Sequence, residues 1–125
     1  MQSRILCISG RQDDARKLSE MLHSLPLSLE HVETLKKARI KLQRKTYDLI
    51  LTETSLHDGS WLDVLHLARE HSRDMQVVVT DPQADARLWA EALNLGAYDL
   101  LAQPFYEPEV RRILYNACSR TMAAV

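Results

Sequence analysis

The fold is decided by residues 47–65, which read Tyr47-Asp-Leu-Ile-Leu-Thr-Glu-Thr-Ser-Leu-His-Asp-Gly-Ser-Trp-Leu-Asp-Val-Leu65. The apolar run at residues 48–53 is short and closed by polar residues, as expected for a strand buried on both faces of a parallel sheet. A turn at residues 57–60 follows, in which we expect Gly59 to supply unusual backbone angles. Residues 61–71 then place apolar side chains on one helical face. Strand, turn and helix in this order form the repeating unit of an α/β fold.

This unit recurs along the whole chain. Apolar runs predict five strands, at residues 5–8, 27–32, 48–53, 76–80 and 98–102. The spacing of apolar residues predicts five helices, from residue 13 to about 26, around 35–42, at 61–71, at 84–95 and around 110–117. Gly96 stands where a helix C-terminus favours glycine. The chain is therefore predicted to be one α/β domain, residues 1–125, with a five-stranded parallel sheet covered by helices on both faces.

In such a sheet the functional crevice lies at the carboxyl ends of the strands. The residues that follow the strands are Ser9, Gly10 and Arg11, then Glu53, then Thr80 and Asp81, then Gln103 and Pro104. Asp81 precedes a proline and is interpreted as a turn former. The chain contains no glycine-rich phosphate loop, nucleophile elbow or zinc-binding histidine spacing. We therefore predict neither catalytic residues nor a bound metal or cofactor, and the protein is not expected to be an enzyme.

Composition restricts the partners that the chain can attract. Sixteen basic and 17 acidic residues give a formal charge of -1, so nucleic acid or an anionic membrane would need a local basic patch, and neither is predicted as a direct partner. Two cysteines, Cys7 and Cys118, cannot form a disulfide framework and are interpreted as reduced core residues of a cytoplasmic protein. No apolar run is long enough to span a bilayer.

Two segments resemble the receiver domains of two-component response regulators. In that family the third strand ends in a phosphoacceptor aspartate followed by a loop close to Leu-Pro-Asp-Gly, and the fifth strand ends in Lys-Pro-Phe. Here Glu53 stands at the acceptor position, residues 56–59 read Leu-His-Asp-Gly, and Gln103, Pro104 and Phe105 match the fifth-strand motif. The resemblance implies a flavodoxin-like (βα)5 doubly wound sheet in the order 2-1-3-4-5, with a cis peptide before Pro104.

The chain departs from the family at most positions of the phosphorylation site. Ser9, Gly10 and Arg11 replace the acidic residues that hold magnesium after strand one, and Gln103 replaces the lysine that pairs with the phosphoryl group. Leu100 replaces the aromatic switch residue, whereas the switch threonine is retained as Thr80. A neutral amide cannot neutralise a developing phosphate charge. We therefore expect a pseudo-receiver that acts by protein contact without aspartyl phosphorylation.

Several alternatives stay open at this point. Glu53 is either a built-in substitute for the phosphorylated aspartate, or it pairs with Arg11 or caps the turn. A surface for another protein or a second copy is expected on helix four, strand five and helix five. Trp89, Asp99 and Glu109 are predicted to lie on it. Alternatively, Trp89 is partly core. If Leu88, Ala92 and Leu95 face the core, Trp89 lies at the edge facing helix five. The alternative function is a phosphoaccepting receiver that regulates an attached or separate DNA-binding or enzymatic output domain.

Overall fold

The computed structural model describes residues 2–123, and the side chains of residues 2–119. The strands of the main sheet are β1 (Ser3–Ile8), β2 (Leu27–Val32), β3 (Leu49–Glu53), β4 (Gln76–Asp81) and β5 (Asp99–Ala102). The helices are α1 (Gln12–Met21), α2 (Leu35–Arg44), α3 (Trp61–His71), α4 (Ala86–Asn94) and α5 (Glu107–Ala123). Between β3 and α3, Ser55–Leu56 and Gly59–Ser60 form a small antiparallel hairpin.

The five strands form one parallel sheet in the order β2-β1-β3-β4-β5, which confirms the predicted flavodoxin-like fold. Side chains on its two faces form two separate apolar clusters. Ile8 and Ile50 belong to the cluster under α2, α3 and α4, whereas Ile5 and Leu51 belong to the cluster under α1 and α5. All four are completely buried, because successive residues of a strand point to opposite faces and both faces are covered.

Local sequence explains where the helices begin. Ser60 and Asp63 form a reciprocal capping box at the start of α3. The carboxylate of Asp85 accepts the N–H of Leu88 at the start of α4, at 2.8 Å. The α2 helix is capped from a distance, because the carboxylate of Asp58 accepts the N–H groups of Leu35 and Lys36 at 2.8 and 3.0 Å. The first N–H groups of a helix have no partner within the helix itself, and these caps supply one.

Two predictions about turns are wrong. Helix α1 ends at Met21 rather than near residue 26, because the chain turns there with Ser24 at φ 71°. Gly59 does not have positive φ; within residues 2–123 that applies to Ser24 and Gly96. Gly59 is needed for space instead, because a Cβ atom there would lie 2.8 Å from Oδ2 of Asp63 and 3.0 Å from a methyl group of Leu35.

Gly96 has φ 109° directly after α4, as the capping argument predicted. The Gln103-Pro104 peptide is cis, as the resemblance implied. Among the described residues, no helix is long and apolar enough to cross a membrane.

Candidate functional site

The crevice at the carboxyl ends of the strands brings together most of the predicted site residues. Glu53 lies opposite Thr80 in the register of β3 and β4. Ser9, Glu53, Thr80 and Gln103 line a common cavity of about 10 Å³. A cavity of this size has room for roughly one water molecule. Only this enclosed part of the crevice is small, because it adjoins an open cleft of about 420 Å³ that is also lined by Asp14, Gln103 and Phe105.

Glu53 is held by the loop that follows β1. Its Oε1 accepts the backbone N–H of Gly10 at 2.8 Å. Arg11 is exposed, and the ion pairs of the described side chains do not include one between Arg11 and Glu53. The carboxylate thus binds the backbone of the loop after β1, which is neither of the two static arrangements considered from the sequence, the pair with Arg11 and a cap on the turn.

Ser9 is used to shape the same loop. Its hydroxyl oxygen accepts the N–H of Arg11 at 3.0 Å, and its carbonyl accepts Nε2–H of His31 at 2.7 Å. Gly10 has no such constraint, because a Cβ atom there would meet nothing within 4 Å. A Cβ atom at position 10 is therefore sterically permitted.

The retained threonine and the substituted glutamine contact each other. Nε2 of Gln103 donates to Oγ1 of Thr80 at 3.1 Å, and that hydroxyl donates to the carbonyl of Leu101 at 2.7 Å. Because Leu101 is its acceptor, the Thr80 hydroxyl proton points toward β5. The side chain is only 3% exposed. Leu100 is buried in the cluster under α2, α3 and α4, where it offers no polar group.

Sequence reasoning missed Asp14 as a crevice residue. It lines the cavity beside Glu53, and its Oδ2 is buried without a hydrogen-bond partner. From the sequence, Asp14 was only part of the first turn of the helix predicted from residue 13, although its spacing to Leu18 already placed the two residues on one helical face. The crevice is negatively charged as a result. Burial, and then the charges of Glu53 and Asp14, raise the pKa of the Cys7 thiol to about 12.

The receiver resemblance implies a magnesium ion, and the side chains present do not fit one. Mg²⁺ requires near-octahedral oxygen ligation, usually through carboxylates and waters. Glu53 and Ser9 already bind backbone groups, which leaves Asp14 as the single crevice carboxylate with a buried, unpartnered oxygen among the described residues. Nowhere in the described part of the chain do three or more His, Cys, Asp or Glu side chains cluster in an arrangement for a metal. Asp81 does not add a ligand, because it accepts the N–H of Gln83 at 2.7 Å and binds the hydroxyl of Thr54.

The predicted partner surface carries large exposed side chains. Trp89 is 50% exposed, so it is not a core residue. The condition under which Trp89 would lie at the edge facing α5 is met only in part. Ala92 is buried and Leu88 half-buried, whereas Leu95 is 53% exposed, because α4 ends at Asn94 and Leu95 lies in the cap. Two further aromatic residues were not singled out from the sequence, Tyr106 and Tyr115, which are 65% and 41% exposed.

The two acidic residues expected on this surface are both half-buried. The carboxylate of Asp99 accepts the N–H of Leu100 at 2.7 Å, which turns it back onto its own strand. Glu109 lies in the first turn of α5, where a negative charge is favourable. Trp89 is therefore the predicted surface residue that offers the largest apolar contact area.

Comparisons with known proteins agree with this geometry. A family model described as response regulator receiver domain matches residues 5–115. The chain is 29% identical over 107 residues to Response regulator protein PilR of Pseudomonas aeruginosa; the match covers 85% of this chain but only 24% of PilR. Its fold is similar to the signal receiver domain of a Vibrio parahaemolyticus protein described as a Luxo repressor, with TM-score 0.90, 21% identity and coverage of 99% and 95% of the two chains.

A second solved structure is the beryllofluoride-activated NtrC4 receiver domain dimer, with TM-score 0.86, 21% identity and coverage of 94% and 98%. At these identities the structural likeness shows the fold alone. The family model, in contrast, spans most of the sequence, from β1 into α5. This chain therefore belongs to the response regulator receiver domain family.

Proposed function

We propose that this receiver domain is a signal-transduction module that acts by protein contact and independently of aspartyl phosphorylation. One observation carries the proposal: the side chains at the acceptor and lysine positions of the crevice are hydrogen-bonded to the protein itself. Glu53 binds Gly10, and Gln103 binds Thr80. A phosphoryl group at this position would have to break these contacts.

Glu53 has a static role in this proposal. A phosphoryl group carries roughly -1.5 to -2 charges and three acceptor oxygens, whereas a carboxylate carries one charge and two oxygens. The Thr80 hydroxyl donates to Leu101 rather than to Glu53. These contacts favour a carboxylate that holds one conformation over a carboxylate that imitates the activated switch.

Phosphorylation is tested by incubation with acetyl phosphate and Mg²⁺, followed by intact-mass measurement, with beryllofluoride binding as a second readout. We expect no added phosphoryl mass and no beryllofluoride-dependent spectral change. Glu53→Gln is the matched control, because it removes the reactive carboxylate with little change of shape. A magnesium-dependent adduct that disappears in Glu53→Gln would refute the proposal.

The surface of α4, β5 and α5 is the proposed contact site, for another protein or a second copy. Trp89 on α4 is exposed there, and Trp and Tyr are enriched among residues that dominate binding energy. The NtrC4 receiver, which was solved as a dimer, shows that a domain of this fold can self-associate. A cytoplasmic location is part of the proposal, supported by the two free and buried cysteines.

The surface is tested by sedimentation or light scattering over a concentration series. Trp89→Ala is expected to reduce self-association or partner capture with little change in melting temperature, because half of the side chain is already in water. Leu62→Ala is the matched control, since Leu62 is 47% exposed but lies on α3. Equal effects of both substitutions, or a large loss of stability in Trp89→Ala, would exclude this surface.

The second candidate is a phosphoaccepting receiver that regulates a DNA-binding or enzymatic output domain. The observation that favours it is Asp14, whose unpartnered Oδ2 adds a second carboxylate beside Glu53. The chain spans about a quarter of PilR, so regulation of an output domain, attached or separate, is part of this candidate. Glu53→Asp with Gln103→Lys tests it: we expect no phosphorylation unless Ser9→Asp and Gly10→Asp are added.

A further inference from the structure

Positive charge is concentrated in one segment of the chain. Residues 33–45 contain six of the 16 basic residues and one of the 17 acidic residues, which gives this segment a formal charge of +5 and the remainder -6. The segment is α2 and its two flanks. A local basic patch of the kind that the balanced composition could not reveal therefore exists on this helix.

Part of this charge lines a cleft of about 410 Å³ beside the edge strand β2. We call it the α2 cleft. Its α2 residues are Lys37, Ile40, Lys41 and Arg44, and Val32 and Glu33 at the end of β2 close its other side. A volume of this order is typical of ligand sites. The cleft is separate from the crevice, since none of the side chains that line it lines the cavity beside Glu53.

The cations of the α2 cleft are not neutralised by ion pairs. Arg39 and Lys45, which do not line the cleft, pair with Glu70 at 3.7 Å and with Glu30 at 2.8 Å. Lys37, Lys41 and Arg44 form no ion pair with any described side chain. Glu33 is the acidic residue of the lining, so the cleft keeps a net positive charge.

The arrangement of these cations indicates the shape of the ligand. Lys37, Lys41 and Arg44 are spaced i, i+4 and i+7, so they form a row roughly 10 Å long on one face of α2. Ile40 interrupts the row and is 40% exposed, and Val32 lies across from it. A single phosphate would reach only part of such a row. A line of carboxylates with an apolar side chain among them would match its full length.

Nucleic acid fits these features less well. Its phosphate backbone offers no apolar group for Ile40, and single-stranded binding uses aromatic side chains on which bases stack. Among the described residues, no Phe, Tyr or Trp lines the α2 cleft; its one aromatic ring is the imidazole of His31, which is held by the carbonyl of Ser9. Helical or extended protein segments, in contrast, can present acidic and apolar side chains on one face.

We propose that the α2 cleft binds an acidic, amphipathic segment of a partner protein. Carboxylates of the segment contact Lys37, Lys41 and Arg44, and one of its apolar side chains covers Ile40. The cleft borders β2, whereas the surface of α4, β5 and α5 lies at the opposite edge of the sheet. This inference therefore goes beyond the proposed function, and either one can fail without the other.

The test is fluorescence anisotropy with a labelled peptide of about 16 residues, roughly four helical turns, with Glu and Leu on one face. We expect binding that weakens as the salt concentration rises. The affinity should fall about tenfold in Lys37→Gln/Lys41→Gln, because the double substitution removes two ion pairs with the peptide. Lys36→Gln/Arg39→Gln is the matched control, because it removes the same charge from the same helix outside the cleft. Its affinity should stay within about twofold of the unaltered protein. Ile40→Ser tests the apolar contact and should also weaken binding.

Three results would overturn the proposal. The first is absence of peptide binding by a protein with an unchanged melting temperature. The second is an equal loss of peptide affinity in Lys37→Gln/Lys41→Gln and in Lys36→Gln/Arg39→Gln. Equal binding of a peptide of the same composition, with its Leu residues scattered around the helix, would count in the same way. The third is tighter, cleft-dependent binding of a nucleoside triphosphate or a DNA duplex, which would assign the cleft to phosphates.

Discussion

The contact between Glu53 and Gly10 should stabilise the crevice to a measurable degree. A hydrogen bond to a charged acceptor contributes roughly 1.5 to 3 kcal/mol. Gly10 is exposed, so water can replace the lost acceptor, and we expect Glu53→Ala to lower the free energy of unfolding by only about 1 kcal/mol. For a chain of this length that corresponds to a fall of about 4 °C in melting temperature.

The assay is equilibrium unfolding in urea, followed by circular dichroism and by the fluorescence of the buried Trp61. Glu53→Gln keeps an oxygen at the same reach and should lose less than half as much free energy as Glu53→Ala. Glu91→Ala is the matched control, because Glu91 is an exposed glutamate on α4. Amide hydrogen exchange of Gly10 gives a local readout and should accelerate in Glu53→Ala. Unchanged stability together with unchanged exchange at Gly10 would refute the reasoning.

Three further predictions follow from the packing. Gly59→Ala should lower the free energy of unfolding by about 1 to 2 kcal/mol, because the new Cβ displaces the Asp63 carboxylate from the capping box of α3; a melting temperature equal to that of the unaltered protein would contradict this. Cys7, whose pKa is raised to about 12 by burial and by neighbouring negative charge, should not react with a disulfide reagent at pH 8 until the protein unfolds. Rapid labelling of Cys7 in the native state would show that the thiol is accessible. The hydrogen bond from Lys45 lowers the pKa of Glu30, so Lys45→Gln should reduce stability at pH 7 by about 0.5 kcal/mol. This difference should disappear as the pH falls through the folded-state pKa of Glu30, because the carboxylate is then protonated in both proteins; a difference that persists at pH 2 would contradict the assignment.

Strands were predictable because their signal is local. A strand covered on both faces must be apolar at nearly every position, as most of β3 is. The edge strand β2 alternates only weakly, and it was nevertheless predicted with its observed bounds. Helix ends were harder, since they depend on contacts with distant residues. The end of α1 was placed near residue 26 instead of Met21. The start of α2 matched, although the contact that holds it comes from Asp58, 23 residues away from Leu35. Gly59 was placed in a turn but lies in the second strand of the hairpin, and the close approach of Asp63 and Leu35 that requires glycine there exists only in the folded chain.

The candidate site also combines features that follow from the local sequence with features that only the tertiary structure decides. Alternation of strands and helices, together with the position of residues after each strand, determined from sequence alone that Ser9, Glu53, Thr80 and Gln103 would meet at one edge of the sheet. Which of them contact each other was decided by tertiary structure. Hydrogen bonds are directional and short-ranged, so the choice of Gly10 rather than Arg11 as the partner of Glu53 depends on the path of the loop after β1.

Composition gives the net charge of the protein but not the distribution of charge over its surface. The sequence determined a net charge close to zero and a helix with several lysines. Only the folded structure decided which cations are paired, because Glu30 and Glu70 come from other elements and form ion pairs with Lys45 and Arg39. Lys41 acts on Glu30 only through its charge. A parallel α/β sheet is encoded in local patterns of apolar residues, whereas a binding surface is made by side chains from distant segments that only folding brings together.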